Sequence, residues 1–203
     1  MKKRFSVMFM LCLLLFVFVP FSPAGADTDS RPDQFVFRNG ITWGMSQQEV
    51  TRLEGDSFHL DRNRFSVFHY SDVVVSRYTG YLFYAFASDR LVLCGYYSSF
   101  TREDCDYLAE GLDRVYGKKA EPSVELLSAA VDCISHEGYY SDDKFDPDSL
   151  RAWEGPENTL IMFISEKPVD EPDSYSYSSS YILYCSPALS SVLSPDYVDT
   201  TGL

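Results

Sequence analysis

The chain has few of the residues that do chemistry. It has three histidines, His59, His69 and His136, and none stands in a metal-binding spacing such as His-x-x-x-His. Gly-x-Ser-x-Gly is absent, so the strand-to-helix turn that presents a hydrolase serine has no local signature. No glycine-rich phosphate loop follows a strand; Gly40, Gly44 and Gly55 read as turn glycines. Positive charge is also short: 17 Lys and Arg stand against 30 Asp and Glu, a formal charge of −13. That balance argues against nucleic acid and anionic membrane surfaces, which need clustered Lys and Arg. Beyond residue 26 no apolar run approaches the roughly 20 residues of a spanning helix. No cofactor motif and no metal-ligand set is legible, and no catalytic residue is assigned.

Cysteine is sparse as well. Cys12 lies within an N-terminal apolar run, which leaves Cys94, Cys105, Cys133 and Cys185. With no Cys-x-x-Cys knuckle, a zinc site has no support. An even count in an exported chain permits two disulfides, in any of three connectivities. The same four could equally be buried thiols, since free Cys packs as a small hydrophobe.

The N-terminus sets the expected compartment. Lys2, Lys3 and Arg4 precede an apolar stretch from Phe5 to Val19, and Ala24-Gly25-Ala26 offers small residues for cleavage before Asp27. This is the layout of a cleaved signal peptide over 1–26. The expected domains are then a loose polar tail at 27–34, a single α+β domain at 35–186 and a C-terminal tail at 187–203. The localisation implied is secreted or periplasmic.

What the chain has in quantity is aromatic and β-branched residues, with 15 Tyr and 15 Phe. Phe35–Arg38 reads as a short strand before the Asn39-Gly40 turn. Ser46 and Glu49 form a capping box for a helix over 46–54, stopped by Gly55. Trp43, just before the cap, reads as a core anchor for that helix. The runs 65–70, 73–78, 81–86 and 91–97 read as strands of an antiparallel meander, with Gly80 as a turn. Thr101 caps a second helix whose apolar stripe is Cys105, Leu108, Ala109, Leu112, Val115 and Tyr116, ending at Gly117. Ser123 caps a third over 124–135, with Leu127, Ala130, Val131 and Ile134 inward. Strands are expected at 150–154, 159–164 and 181–185. The fold class is therefore α+β: an antiparallel sheet with two or three helices packed on one face. The order of elements also admits a tandem repeat of helix plus meander, 46–100 and 101–185.

Candidate binding residues come from loops. Tyr139, Tyr140, Tyr175 and Tyr177 fall in predicted loops, where tyrosine offers apolar area with a polar tip. Packing over a sheet edge would explain them as well. The acids Asp142, Asp143, Asp146 and Asp148 cluster in one loop, but Lys144 and Pro147 break the calcium-loop pattern, so a solvated loop is the better reading. These features favour an exported, non-enzymatic binding or interaction protein, with an extracytoplasmic protein or glycan as partner. The alternative is an extracytoplasmic hydrolase with a spatially assembled site.

The run Trp43-Gly44-Met45-Ser46-Gln47-Gln48-Glu49-Val50, with the later Tyr116-Gly117, is similar to uncharacterised bacterial exported proteins with a Trp-Gly-x-Ser-x-x-Glu-Val start. From Gly44 to Val50 it also resembles the first helix of small outer-membrane assembly lipoproteins. This chain has neither their proline after the helix nor their lipid-attachment cysteine. That resemblance implies a helix packed on an antiparallel sheet. The helix-then-sheet order given twice looks like the tandem architecture of secreted β-lactamase inhibitory proteins.

Overall fold

A computed structural model of the protein describes residues 34–62, 65–75, 77–134, 145–167 and 178–192. The expected signal peptide lies outside them. Among the described residues seven strands form one antiparallel sheet: β1 (His59–Arg62), β2 (Ser66–Val75), β3 (Tyr78–Ala87), β4 (Arg90–Phe100), β5 (Phe145–Glu154), β6 (Leu160–Glu166) and β7 (Ser178–Cys185). Their order across the sheet is β1-β2-β3-β4-β7-β6-β5. Each half is thus a meander, and the two meanders meet where β4 pairs with β7.

Among the described residues four helices accompany the sheet: α1 (Gln47–Glu54), α2 (Arg102–Tyr116), α3 (Val124–Ile134) and the short α4 (Leu189–Val192). The first two open with complete capping boxes, Ser46 with Glu49 and Thr101 with Asp104. Each box satisfies two backbone N–H groups that the first turn leaves without partners. Both helices end at a glycine with positive φ, Gly55 at 97° and Gly117 at 65°, where a side chain would be strained. A helix followed by a meander therefore occurs twice, as the order of elements suggested, with α3 inserted in the second unit.

Strand alternation divides the side chains between two faces. Val50 of α1 packs with Phe68, Leu82, Tyr84 and Phe86. On the same face, Cys105, Leu108, Leu112 and Tyr116 of α2 pack against Trp153, Ile161, Phe163 and Ile182. The opposite face carries Val67, Phe83, Ala85, Leu93, Met162 and Leu183, and receives Ala130 and Cys133 of α3 with Leu189 and Val192 of α4. Helices therefore cover both faces of the sheet. The expectation of one covered face describes α1 and α2 and misses α3, because a helix stripe shows that it is buried but not which side it covers.

Other expectations change in detail. Phe35 and Phe37 are buried core residues without strand pairing, and the chain turns through Asn39 and Gly40 at positive φ. The runs 65–70 and 73–75 join into β2 through an irregularity where Asp72 has φ 58°. Gly80 is not a turn but lies inside β3, opposite Val73. A Cβ there would sit 2.5 Å from the Tyr97 carbonyl oxygen. Val115, placed on the buried stripe, is 70% exposed, whereas Tyr116, placed on the same stripe, packs inward. Leu189 and Val192, within the stretch expected as tail, are buried.

The opening stretch joins the two halves. Gly44 N–H donates to the Leu91 carbonyl and Leu91 N–H to the Met45 carbonyl, tying it to β4. Trp43 is half-buried, stacks on Phe35 at 4.3 Å, and donates from Nε1 to Thr159 Oγ1 at 2.9 Å, just before β6. Glu54, at the end of α1, accepts from Tyr84 at 2.6 Å and pairs with Arg38 at 3.1 Å.

Two predictions follow from this packing. Trp43→Ala is expected to cost about 2–3 kcal/mol in urea unfolding, below the roughly 3–5 kcal/mol of a fully buried ring; an unchanged midpoint would remove Trp43 as the link between the halves. Two glycines should behave oppositely. A Cβ on Gly95 would stand 2.2 Å from the Ile182 carbonyl oxygen and 2.8 Å from the Phe83 ring, so Gly95→Ala is expected to lose about 3 kcal/mol. Gly111 in α2 has nothing within 4 Å of that position, and Gly111→Ala should gain about 0.5–1 kcal/mol. Paired thermal melts check both signs.

Candidate functional site

The four cysteines Cys94, Cys105, Cys133 and Cys185 could by sequence be bridged or buried thiols. None is in a disulfide. Alternation along the strands puts Cys94 on the face of α1 and α2, and Cys185 on the face of α3 and α4. Cys133 shares the core cluster of Cys185, and Cys105 packs on the other side under α2. A bridge between Cys94 and Cys185 would have to pass through the sheet. Burial pushes the Cys94 and Cys185 thiols well up from their usual range, which disfavours the thiolate a nucleophile needs. Cys105 Sγ lies 3.3 Å from Ser180 Oγ, and Ser180 Oγ is 2.8 Å from Ser165 Oγ. This small polar pocket beneath α2 satisfies buried hydroxyls. Iodoacetamide on the native protein should leave Cys94 and Cys185 unmodified, and in guanidinium both should alkylate in full by intact mass. Native-state labelling at either would show that the core around them opens.

On the face of α1 and α2, Tyr70, Tyr84 and Tyr96 belong to the core. Burial pushes Tyr70 and Tyr96 up to about 12, and Tyr84, desolvated beside Glu54, higher still. These phenols do not titrate near neutral pH. Around the β2–β3 turn, Arg77 lies over the Tyr78 and Tyr107 rings and bonds Asp104 at 3.2 Å. The Tyr78 hydroxyl donates to the same carboxylate at 2.6 Å and is the first cause that holds it below the usual range. That cluster secures the start of α2 and leaves its charges engaged with one another.

The opposite face has a different character at one end. Along β3 and β4 it passes from Ala85 and Leu93, in the α3–α4 core, to Tyr81 and Tyr97. Tyr81 and Tyr97 are direct cross-strand partners, and their rings stack at 4.6 Å with 9° between planes. Tyr97 also stacks on Tyr181 of β7 at 5.6 Å, and Tyr181 meets Phe145 of β5 edge-on at 5.7 Å. The row thus crosses from β3 to β5. The Tyr181 hydroxyl donates to Glu166 at 2.8 Å, and Tyr81, at the open end, is 45% exposed.

Beside Tyr81 lies a cleft of about 520 Å³. Its walls are residues 56–59 leading into β1, His69 and Ser71 of β2, Tyr81 and Tyr97. The β1–β2 register sets His59 opposite His69 and Asp61 opposite Val67, all on this face. Asp61 takes both imidazoles: His59 Nε2 is 2.9 Å from Oδ1, and His69 Nε2 is 3.2 Å from Oδ2. The side chain of His69 is 7% exposed and that of His59 is 74% exposed, so the array runs from the sheet interior to its rim. Ser71 Oγ donates to Asp72 at 2.9 Å. Among the described residues, no group of three or more His, Cys, Asp or Glu is arranged to hold a metal ion.

Two of the three histidines are therefore brought together, and His136 lies outside the described residues. So do the candidate tyrosines Tyr139, Tyr140, Tyr175 and Tyr177, and the acids Asp142 and Asp143. Asp146 and Asp148 belong to β5, where Asp146 Oδ1 accepts from the Asp148 backbone at 3.1 Å. The sequence reading missed Tyr81, Tyr97, Asp61 and the pairing of His59 with His69. The signal was local: His59-x-Asp61 and His69-x-Ser71 each place two polar side chains on one face of a strand. Among the described residues, no helix is long and apolar enough to cross a membrane. No protein-family model, no curated protein and no solved structure matches the chain.

Proposed function

We propose that the protein is an exported binding module, without catalytic activity of its own, and that the cleft beside Tyr81 is its ligand site. The observation that carries this reading is the stacked tyrosine row ending in a half-exposed ring at the wall of a polar cleft. Rigid aromatics with a few convergent polar groups are the usual make-up of a small-ligand site, and the volume falls in the roughly 300–1,000 Å³ range of such sites. Export is supported by the N-terminal sequence pattern, and by the similarity of the Trp43–Val50 run to exported bacterial proteins.

The hydrolase reading has one observation in its favour, the carboxylate and two histidines in the cleft. A catalytic histidine needs one nitrogen on the orienting carboxylate and the other toward a nucleophile. Here Nε2 of each histidine faces Asp61, which meets the first requirement, but the cleft's Ser71 hydroxyl is turned to Asp72 in place of a histidine. The arrangement fits a fixed hydrogen-bonding wall better than a proton relay.

The test is retention of material from envelope and culture fractions on the immobilised protein, wild type against Tyr81→Ala. The variant should retain at least about fivefold less at an unchanged melting temperature, a loss of about 1 kcal/mol. Equal retention would remove the cleft as the site, and chemical turnover of the retained material would favour the hydrolase.

A further inference from the structure

We infer that the cleft takes a neutral saccharide, one sugar ring lying on the outer face of Tyr81 and its hydroxyls on the polar wall of Asp56, His59 and Ser71. This rests on the reading of the cleft as a ligand site and concerns the class of ligand. The first argument is ring geometry. The near-parallel contact with Tyr97 occupies the inner face of Tyr81, and Tyr97 is itself covered on its far side by Tyr181. What the row offers outward is one flat face. A quaternary or alkylated ammonium is held by several ring faces converging on it, which a stack of parallel rings does not provide. A sugar needs one platform for its C–H face.

The second argument is charge. Besides the tyrosines, the ionisable groups among the described residues of the cleft wall are Asp56, His59 and His69; Asp61 bonds both imidazoles but is not part of that wall. One carboxylate and, among the described residues, no Lys or Arg in that wall disfavour phosphate, sulfate and uronate ligands. The third is preorganisation. Asp61 bonds both imidazoles at once and so holds His59 and His69 in place against the cleft. Adjacent sugar hydroxyls can pair with polar groups so held, which meet them without first being ordered. His59, largely exposed at the rim, adds a planar polar edge at the mouth of the cleft.

Isothermal titration with cellohexaose, xylohexaose, chitohexaose, polygalacturonate and choline tests the inference. Binding of at least one neutral hexasaccharide is expected, weakened at least about tenfold by Tyr81→Ala and kept within about threefold by Tyr81→Phe. Far-ultraviolet spectra and melting temperatures confirm that both variants fold. Preference for polygalacturonate or choline overturns the ligand class, and so does neutral binding that ignores Tyr81→Ala. If no probe binds while retention of envelope material still depends on Tyr81, the saccharide inference fails and the cleft remains the site. If retention is also independent of Tyr81, both fall.

Discussion

The pairing of β4 with β7 is the constraint on which the rest of the structure depends. It runs from Leu93 opposite Cys185 to Phe100 opposite Ser178 and is the junction between the two meanders. Because side chains alternate, its register decides at once which residues face α1 and α2 and which face α3 and α4. A slip of one residue would bury Ser98 where Tyr97 stands and break the tyrosine row. Gly95 shows how tight the junction is: the space of its missing Cβ is filled by the Phe83 ring and the Ile182 carbonyl. The same alternation separates Cys94 from Cys185, so that two cysteines on adjacent central strands belong to different cores.

Polar contacts reinforce that junction from the outside. The segment before α1 crosses between the halves, with Trp43 bonded to Thr159 and the Phe35 N–H donating to Glu157. Glu54 sits with its side chain 5% exposed between Arg38 and Tyr84. A carboxylate that far from water is tolerable only when paired and hydrogen-bonded, and its removal would leave Arg38 without its carboxylate. This contact fixes the end of α1, and with it the start of the 55–58 segment that leads into the cleft. Fold and site therefore share a wall: the stop of the first helix positions Asp56 and delivers His59 to the edge of the sheet.

Local features were legible in the sequence, and features that need register were not. Ser46 and Thr101 announce their helices because a capping box is complete within four residues. Phe83, Leu93 and Leu183 announce strands because their neighbours are β-branched or aromatic. Val115 was misplaced because an apolar residue at the right spacing can still lie past the edge of the stripe. Gly80 was misread because a glycine in a turn and a glycine beneath a close backbone look alike in sequence. The strand His59–Arg62 carries too few apolar residues to signal itself, yet it brings His59 and Asp61 to His69. The cleft was illegible for the same reason: its members come from positions 56 to 97 and meet only when four strands are in register.

The tyrosine row has two different ends, and that difference separates folding from recognition. Tyr97 packs on the α3–α4 core as well as on Tyr81 and Tyr181, so its loss would loosen the sheet and remove a cleft wall together. Tyr81 gives up one ring face to Tyr97 and keeps the other toward solvent and the cleft, with 45% of its surface exposed. A large apolar ring at that exposure contributes little burial for its size. The row is thus anchored at Tyr181 and Tyr97 and presented at Tyr81. Its rigidity is inherited from the β4–β7 junction: Tyr97 and Tyr181 hold the Tyr81 ring at the cleft, so a ligand of the proposed kind would meet a ring already ordered by the fold.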